Sequence, residues 1–133
     1  MTITIDGGAG ITFPDTVQQT NGMTMTGGDP KYYAARAWVN FNGSGTVAIR
    51  AAVNVSSITD NATGNYTVNF TSAMPDVNYV TVCTAERNDG GGTNAVFHIL
   101  DGGTYSTSAV QLLNQASDGA NVDTDIGCVV IFR

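Results

Sequence analysis

From Ala35 onward, small, β-branched and aromatic residues alternate with polar ones, and clusters of Gly, Asn and Asp break the runs. A period of two over short runs bounded by turn residues is the pattern of half-buried strands. The first run spans about 35–41, with Ala37, Val39 and Phe41 on one face. Asn42-Gly43 turns into a run at about 45–55, in which Val47, Ile49, Ala51, Val53 and Val55 align. A loop at Asp60–Gly64 precedes the alternation of Tyr66, Val68 and Phe70, and Met74-Pro75-Asp76 makes a corner.

Residues 78–86 set Tyr79, Cys83 and Ala85 against Val80 and Val82, so both faces are moderately apolar. The glycine loop Asn88–Gly92 precedes a strand at 94–100. Asp101-Gly102-Gly103 is a hairpin signal before a strand at 105–113. The acidic loop 114–124 leads to a last run from Ile126 to Phe132, apolar on both faces. Such a strand is central in its sheet, or is covered by a second sheet or subunit. Seven or eight short strands with turns every 8–12 residues predict an antiparallel β-sandwich of jelly-roll or Greek-key type.

Residues 1–30 read differently. Thr2-Ile3-Thr4-Ile5 is a short alternating strand, and Gly7-Gly8-Ala9-Gly10 leads into Ile11-Thr12-Phe13. The stretch from Thr16 to Gly28 has too little apolar surface to fold alone. The expected organisation is an extended N-terminal arm, 1–30, followed by a sandwich domain, 31–133.

Composition supports the all-β class. The aliphatic residues are mostly Val and Ile, Lys31 is the one lysine and Glu86 the one glutamate. Helix surfaces draw on Lys, Glu, Leu and Ala, whereas strands favour Val, Ile, Thr, Tyr and Phe. The net charge is −6, with only 12% charged residues. Five Lys plus Arg give no strong basic stripe, which argues against nucleic acid and against an anionic membrane surface. No run approaches the length of a membrane span. The N-terminus has neither a basic region nor an apolar run of a secretory leader, so the chain is expected to stay in the cytoplasm where it is made, or to leave by a route that ignores Sec. A neutral, hydroxyl- and amide-rich surface suits a glycan or another protein subunit.

Candidate chemistry is sparse. Cys83 and Cys128 read either as reduced thiols packed like small hydrophobes or as a cross-strand disulfide. His98, the one histidine, reads as a sheet-face or interface residue; alone it provides neither a triad nor a four-ligand zinc site. Asp118, Asn121, Asp123 and Asp125 offer oxygen ligands at short spacing, but the spacing is not that of an EF-hand, and a solvated acidic loop is the simpler reading. No catalytic residue, metal or cofactor is predicted. Trp38 shares a face with Arg36 and Asn40, opposite Val39 and Phe41. It therefore packs at a second face or an interface, or, with Tyr32 and Tyr33, stacks on a ligand. Recognition on rigid β scaffolds is commonly carried by loops. The candidate loops are 87–93, 101–105 and 115–124, and the candidate ligand-binding residues are Asn88, Asp89, Asp101, Tyr105 and Asp118.

Two stretches carry a family resemblance. Gly10-Ile11-Thr12-Phe13-Pro14-Asp15-Thr16-Val17-Gln18 resembles the short motif of phage fibre shafts and necks, a Gly-Ile-x-Phe-Pro-Asp run ending in Gln. Thr16 stands where those proteins usually have glycine. Residues 35–73 are similar to head-domain sequences of tailed-phage tail fibres and related virion proteins. The resemblance covers a third to half of the chain. It implies a β-sandwich head, assembly as a homotrimer, and a role in host contact or virion architecture, with Ile11, Phe13 and Pro14 as anchoring residues in the arm. The partners implied are other virion proteins, of the tail and baseplate or of the capsid, and a host-surface glycan. The expected protein is a non-enzymatic short tail-fibre component located in the virion. The alternatives are a capsid decoration or head-fibre protein, and a carbohydrate-binding module.

Overall fold

A computed structural model describes residues 4–6, 10–12, 34–86 and 95–133. The chain divides into two units at Tyr33/Ala34. In the first, β1 (Thr4–Asp6) and β2 (Gly10–Thr12) form an antiparallel pair with Ile5 opposite Ile11. Phe13 and Pro14 lie outside the described residues, as do Tyr32 and Tyr33.

The second unit is an all-β sandwich, with no helix among the described residues. Its strands are β3 (Ala35–Asn42), β4 (Ala48–Val53), β5 (Val55–Ala62), β6 (Asn65–Phe70), β7 (Val80–Glu86), β8 (Ala95–Ile99), β9 (Ala109–Ala116) and β10 (Ile126–Phe132). They form two four-stranded antiparallel sheets, in the orders β4-β3-β10-β7 and β5-β6-β9-β8. The last strand returns beside the first of the unit, and β9 beside β6. These non-sequential neighbours make Greek-key connections rather than a meander.

Alternation builds the core. Ala37, Val39 and Phe41 of β3 and Val129 and Ile131 of β10 point inward from one sheet. Tyr66, Val68 and Phe70 of β6, Phe97 of β8 and Val110 and Leu112 of β9 meet them from the other. Phe41 lies edge-on to Tyr66 at 5.3 Å between ring centroids, and Phe97 closes the trio at 6.1–6.2 Å from both. Edge-to-face pairs set the positive ring edge against the negative face. Strand β10 is central in its sheet, as its two apolar faces predict; Cys128, Val130 and Phe132 look outward and are half-buried.

The run expected as one strand at 45–55 is two. Asn54, at a positive φ of 55°, ends β4, and β5 continues in the opposite sheet. The Asn54 amide holds this corner: Nδ2 donates to Arg36 O (3.2 Å) and Ser72 O (3.1 Å), and Oδ1 accepts from Ser72 N–H (2.7 Å). Asparagine tolerates the left-handed region because its short polar side chain bonds the backbone locally. A bulge against Asn40/Phe41 also shifts the phase of β4. The residues packed on the core are therefore Val47, Ala52, Val55 and Ile58, not the alignment through Ala51 and Val53. The loop expected at 60–64 shrinks to Thr63-Gly64, because residues 55–62 are strand.

The hairpin at Asp101-Gly102 forms, but its second strand starts at Ala109 rather than 105. Tyr105 makes an isolated bridge to Val110, and Ser106 Oγ accepts from the Ser108 and Ala109 N–H groups, so the chain doubles back first.

Gly127 of β10 lies opposite Phe41 of β3, and the ring crosses over it. A Cβ at position 127 would sit 2.5 Å from a fully buried Phe41 ring carbon. Gly127→Ala is expected to lower the unfolding free energy by about 1–3 kcal/mol, the range for overpacking. Urea unfolding followed by Trp38 fluorescence measures it, and an unchanged midpoint would contradict the ring placement.

Candidate functional site

The sandwich has two unlike ends. At one, the loops after β3 and between β9 and β10 meet the β5–β6 turn around the Tyr66 hydroxyl. That hydroxyl lies 2.8 Å from Gly43 O and 2.9 Å from Asp123 Oδ1, so one proton faces two acceptors. Asp123 Oδ1 also accepts the Gly64 N–H at 2.8 Å. The backbone repeats the tie: Gly43 N–H donates to Thr124 O, Asn114 N–H to Gly64 O, and Val122 N–H to Asn114 O. Asn114, fully buried on β9, donates its amide to Val122 O at 2.8 Å. Thr124 Oγ1 reaches the carbonyls of Glu86 and Ile126. Gly64 is required here: φ is +67°, and a Cβ would come within 2.6 Å of Asn114 O. The 117–125 loop is thus pinned to the core by hydrogen bonds along its length, while Asp118 and Asn121 stay exposed.

At the other end, Phe70, Met74 and Tyr79 close the core. Tyr79 stacks on Tyr105 with centroids 4.6 Å apart and meets Phe70 edge-on. The Tyr79 hydroxyl donates toward Ser106 O (3.0 Å), and Tyr105 donates to Tyr79 O (2.7 Å). Arg133 forks onto Asp76, Nε to Oδ1 at 2.9 Å with a second contact from Nη2 to Oδ2. Arg133, helped by the Asn78 N–H, holds the Asp76 carboxyl below its ordinary range. Ala35 pairs with Phe132 at this end. The first strand of the sandwich therefore begins where its last strand finishes.

Of the five residues expected to bind ligand, the three described ones lie at both ends of the sandwich. Asn88 and Asp89 lie outside the described residues. Asp101 and Tyr105 belong to the Tyr79 end and Asp118 to the Tyr66 end, since β9 runs between them. Tyr105 is a packing residue, its hydroxyl and ring both engaged. Asp118 Oδ1 accepts the Ala120 N–H within its own turn (3.0 Å).

Cys83 points inward against the core, where it contacts Phe97 O at 3.6 Å. Burial pushes its thiol up. Cys128 points outward and accepts from Asn40 Nδ2 at 3.4 Å. Val129 faces Cys83 across the ladder and Cys128 faces Thr84, so the two sulfurs lie on opposite faces of one sheet. That removes the disulfide alternative; both cysteines are free. His98 is exposed on the outer side of β8, across from Leu113. Among the described residues no three His, Cys, Asp or Glu side chains converge.

The outer face of β5, β6 and β9 is an ordered polar array. Asn69 Nδ2 reaches Ser57 Oγ (3.1 Å) and Thr59 Oγ1 (3.0 Å). Asn61 Nδ2 reaches Thr67 Oγ1 (2.9 Å), and Gln111 Nε2 reaches Asn65 Oδ1 (2.8 Å). Period-two reading assigns these residues to the solvent side, but their cross-strand partners follow only from the register.

Both end locks make a pH prediction. Burial pushes the Tyr66 hydroxyl well up, aided by the Asp123 hydrogen bond and charge, and pushes Tyr79 up to about 12. The folded chain holds these protons where the unfolded chain releases them. Stability is therefore complete below the ordinary tyrosine value of 10.0 and falls as pH rises beyond it. Urea midpoints at stepped alkaline pH are expected to drop above about pH 10. Tyr66→Phe should flatten the slope while lowering neutral-pH stability by about 1–2 kcal/mol, the worth of the hydroxyl's hydrogen bond. An equally steep slope in that variant would contradict the assignment.

No protein-family model, no curated protein and no solved structure matches the chain.

Proposed function

We propose that this chain is a virion structural protein of the tail-fibre class, a short homotrimeric fibre component that binds a host surface and catalyses no reaction. In this reading residues 1–30 attach to other virion proteins of the tail and baseplate, through Ile11, Phe13 and Pro14. The sandwich is the head, and the host ligand is a neutral surface glycan. The carrying observation is the direction of the build. The sandwich begins at Ala34 and Ala35 at the Tyr79 end, and the pinned loops 43–47, 63–64 and 117–125 crown the opposite end. A module anchored by its arm presents that far end outward.

Pinned loops favour recognition because little conformational entropy is lost on binding. Exposed Thr46, Thr63, Asp118 and Asn121 supply the hydroxyl, amide and carboxylate groups that hydrogen-bond sugars. Three copies at one tip convert weak single contacts into avidity. Asp101 and Tyr105, at the Tyr79 end, fall outside this surface.

The test has two parts. A chain lacking residues 1–30 is expected to keep its strand signal by circular dichroism and to lose incorporation into particles. Replacing Thr46, Thr63, Asp118 and Asn121 with alanine should reduce cell adsorption at least tenfold, while Asp101→Ala leaves it unchanged. Adsorption that survives the fourfold substitution would make the protein a passive structural part. Labelled protein on the shell rather than the tail would make it a capsid decoration or head-fibre protein.

A further inference from the structure

The two sheets present opposite chemistry to their surroundings. On the β5-β6-β9 side, Thr59, Thr67 and Gln111 face one another across three strands, and Ser57 faces Asn69. On the other sheet the corresponding row is Val53, Trp38, Val130 and Val82, one from each strand and in direct register. Val80 and Phe132 pair next to it, and Ile126 faces Glu86 at the far corner. Trp38, Val53, Val80, Val82 and Ile126 are 37, 50, 60, 50 and 38% exposed. We propose that this outer face of the β4-β3-β10-β7 sheet is the surface that another copy of the chain covers. The proposal rests on the self-association in the reading above and names the face that achieves it.

Area, charge and edge each favour a second copy. The five side chains leave on the order of 400 Å² of apolar surface open, the size at which a patch on a soluble chain marks an interaction site. With the polar rim of an ordinary interface, that core corresponds to roughly 700 Å² per copy, close to what a stable interface takes from each partner.

Copies carrying −6 each repel one another. The charged residues of β3, β4, β7 and β10 are Arg36, Arg50 and Glu86, a net of +1 from two arginines against one glutamate. The acidic excess lies elsewhere, so this is the face that another acidic copy approaches against least repulsion. Strand β7 adds an open edge: it pairs with β10 alone among the described strands. Its run from Val80 to Ala85 carries no charge, Pro or Gly, the devices that normally keep an edge from pairing. A copy seated over Val80 and Val82 covers the exposed valines beside that edge.

Trp38 is the chain's one tryptophan and reports directly. Light scattering on the full chain at micromolar concentration, with Trp38 emission and acrylamide quenching, tests the face. The wild type is expected to associate, with Trp38 emission moving red on dilution. Val82→Glu and Val53→Glu should be monomeric, keep the strand signal by circular dichroism, and show acrylamide quenching at least twofold stronger. Val96→Glu, exposed on the outer side of β8, should associate like the wild type. If either glutamate variant unfolds, Val82→Thr should still weaken association about tenfold, because threonine buries less apolar surface than valine. A wild type that associates while the Val82 and Val53 variants do so equally would overturn the face and leave self-association standing. A wild type that stays monomeric would overturn both.

Discussion

The contact between Phe41 and Tyr66 is the constraint on which the sandwich turns. Each ring comes from a different sheet, and both are fully buried. Packing alone would favour phenylalanine at both positions. Position 66 instead carries a hydroxyl that must be satisfied once it leaves water, since an unpaired buried hydroxyl costs roughly 1–3 kcal/mol. Gly43 O and Asp123 supply the partners, which places two loops against the ring. The same ring that joins the sheets therefore fixes the backbone of one end. The requirement spreads outward: Gly43 must be glycine because the Tyr66 ring tip lies 2.7 Å from where a Cβ would be, and Gly127 because Phe41 crosses it.

The Tyr79 end follows the same rule with different parts. Tyr79 and Tyr105 stack, and each hydroxyl is spent on a backbone carbonyl. The first strand of the sandwich begins and its last strand finishes here, and the Arg133 fork on Asp76 ties that last strand to the 71–79 corner. Asp76 and Arg133 are both partly exposed, so their attraction is largely screened. Aromatic packing holds this end, and the ion pair sets only the local path of the backbone.

The fold class was legible because two-residue alternation survives one sequence at a time. β3, β6 and β10 appear almost as their patterns predict, and Trp38 lies on the face that its phase assigns. What alternation cannot carry is a change of phase. Asn54 turns one apparent strand into two strands of different sheets, and a bulge opposite Asn40/Phe41 moves the inward position to Ala52. The only local hint was an asparagine amid valines, and asparagine also decorates loops throughout this chain. Strand order was hidden for a related reason. Pairings such as β3 with β10 and β6 with β9 join residues far apart in sequence, and no local pattern encodes them. The placement of the candidate loops was hidden for the same reason. Asp101, Tyr105 and Asp118 looked like one loop chemistry, but β9 separates them to opposite ends.

The surplus of apolar residues in the last strand was visible in sequence, but its meaning depends on what stands beside it. Val130 alone on an outer face would be unremarkable, because much of any protein's surface is apolar. Its neighbours across the ladder set it apart. Val82, Trp38 and Val53 continue the row, whereas on the facing sheet the outer row is threonine and glutamine. A sandwich needs one apolar face per sheet to close its core, and this one supplies a third. Amide and hydroxyl groups on the polar sheet are satisfied across the strands and in water alike. The valine row gains nothing from water, and the isolated sandwich leaves that row uncovered. The two outer faces of the sandwich therefore differ in what they gain from leaving water, the valine row gaining and the threonine and glutamine row not.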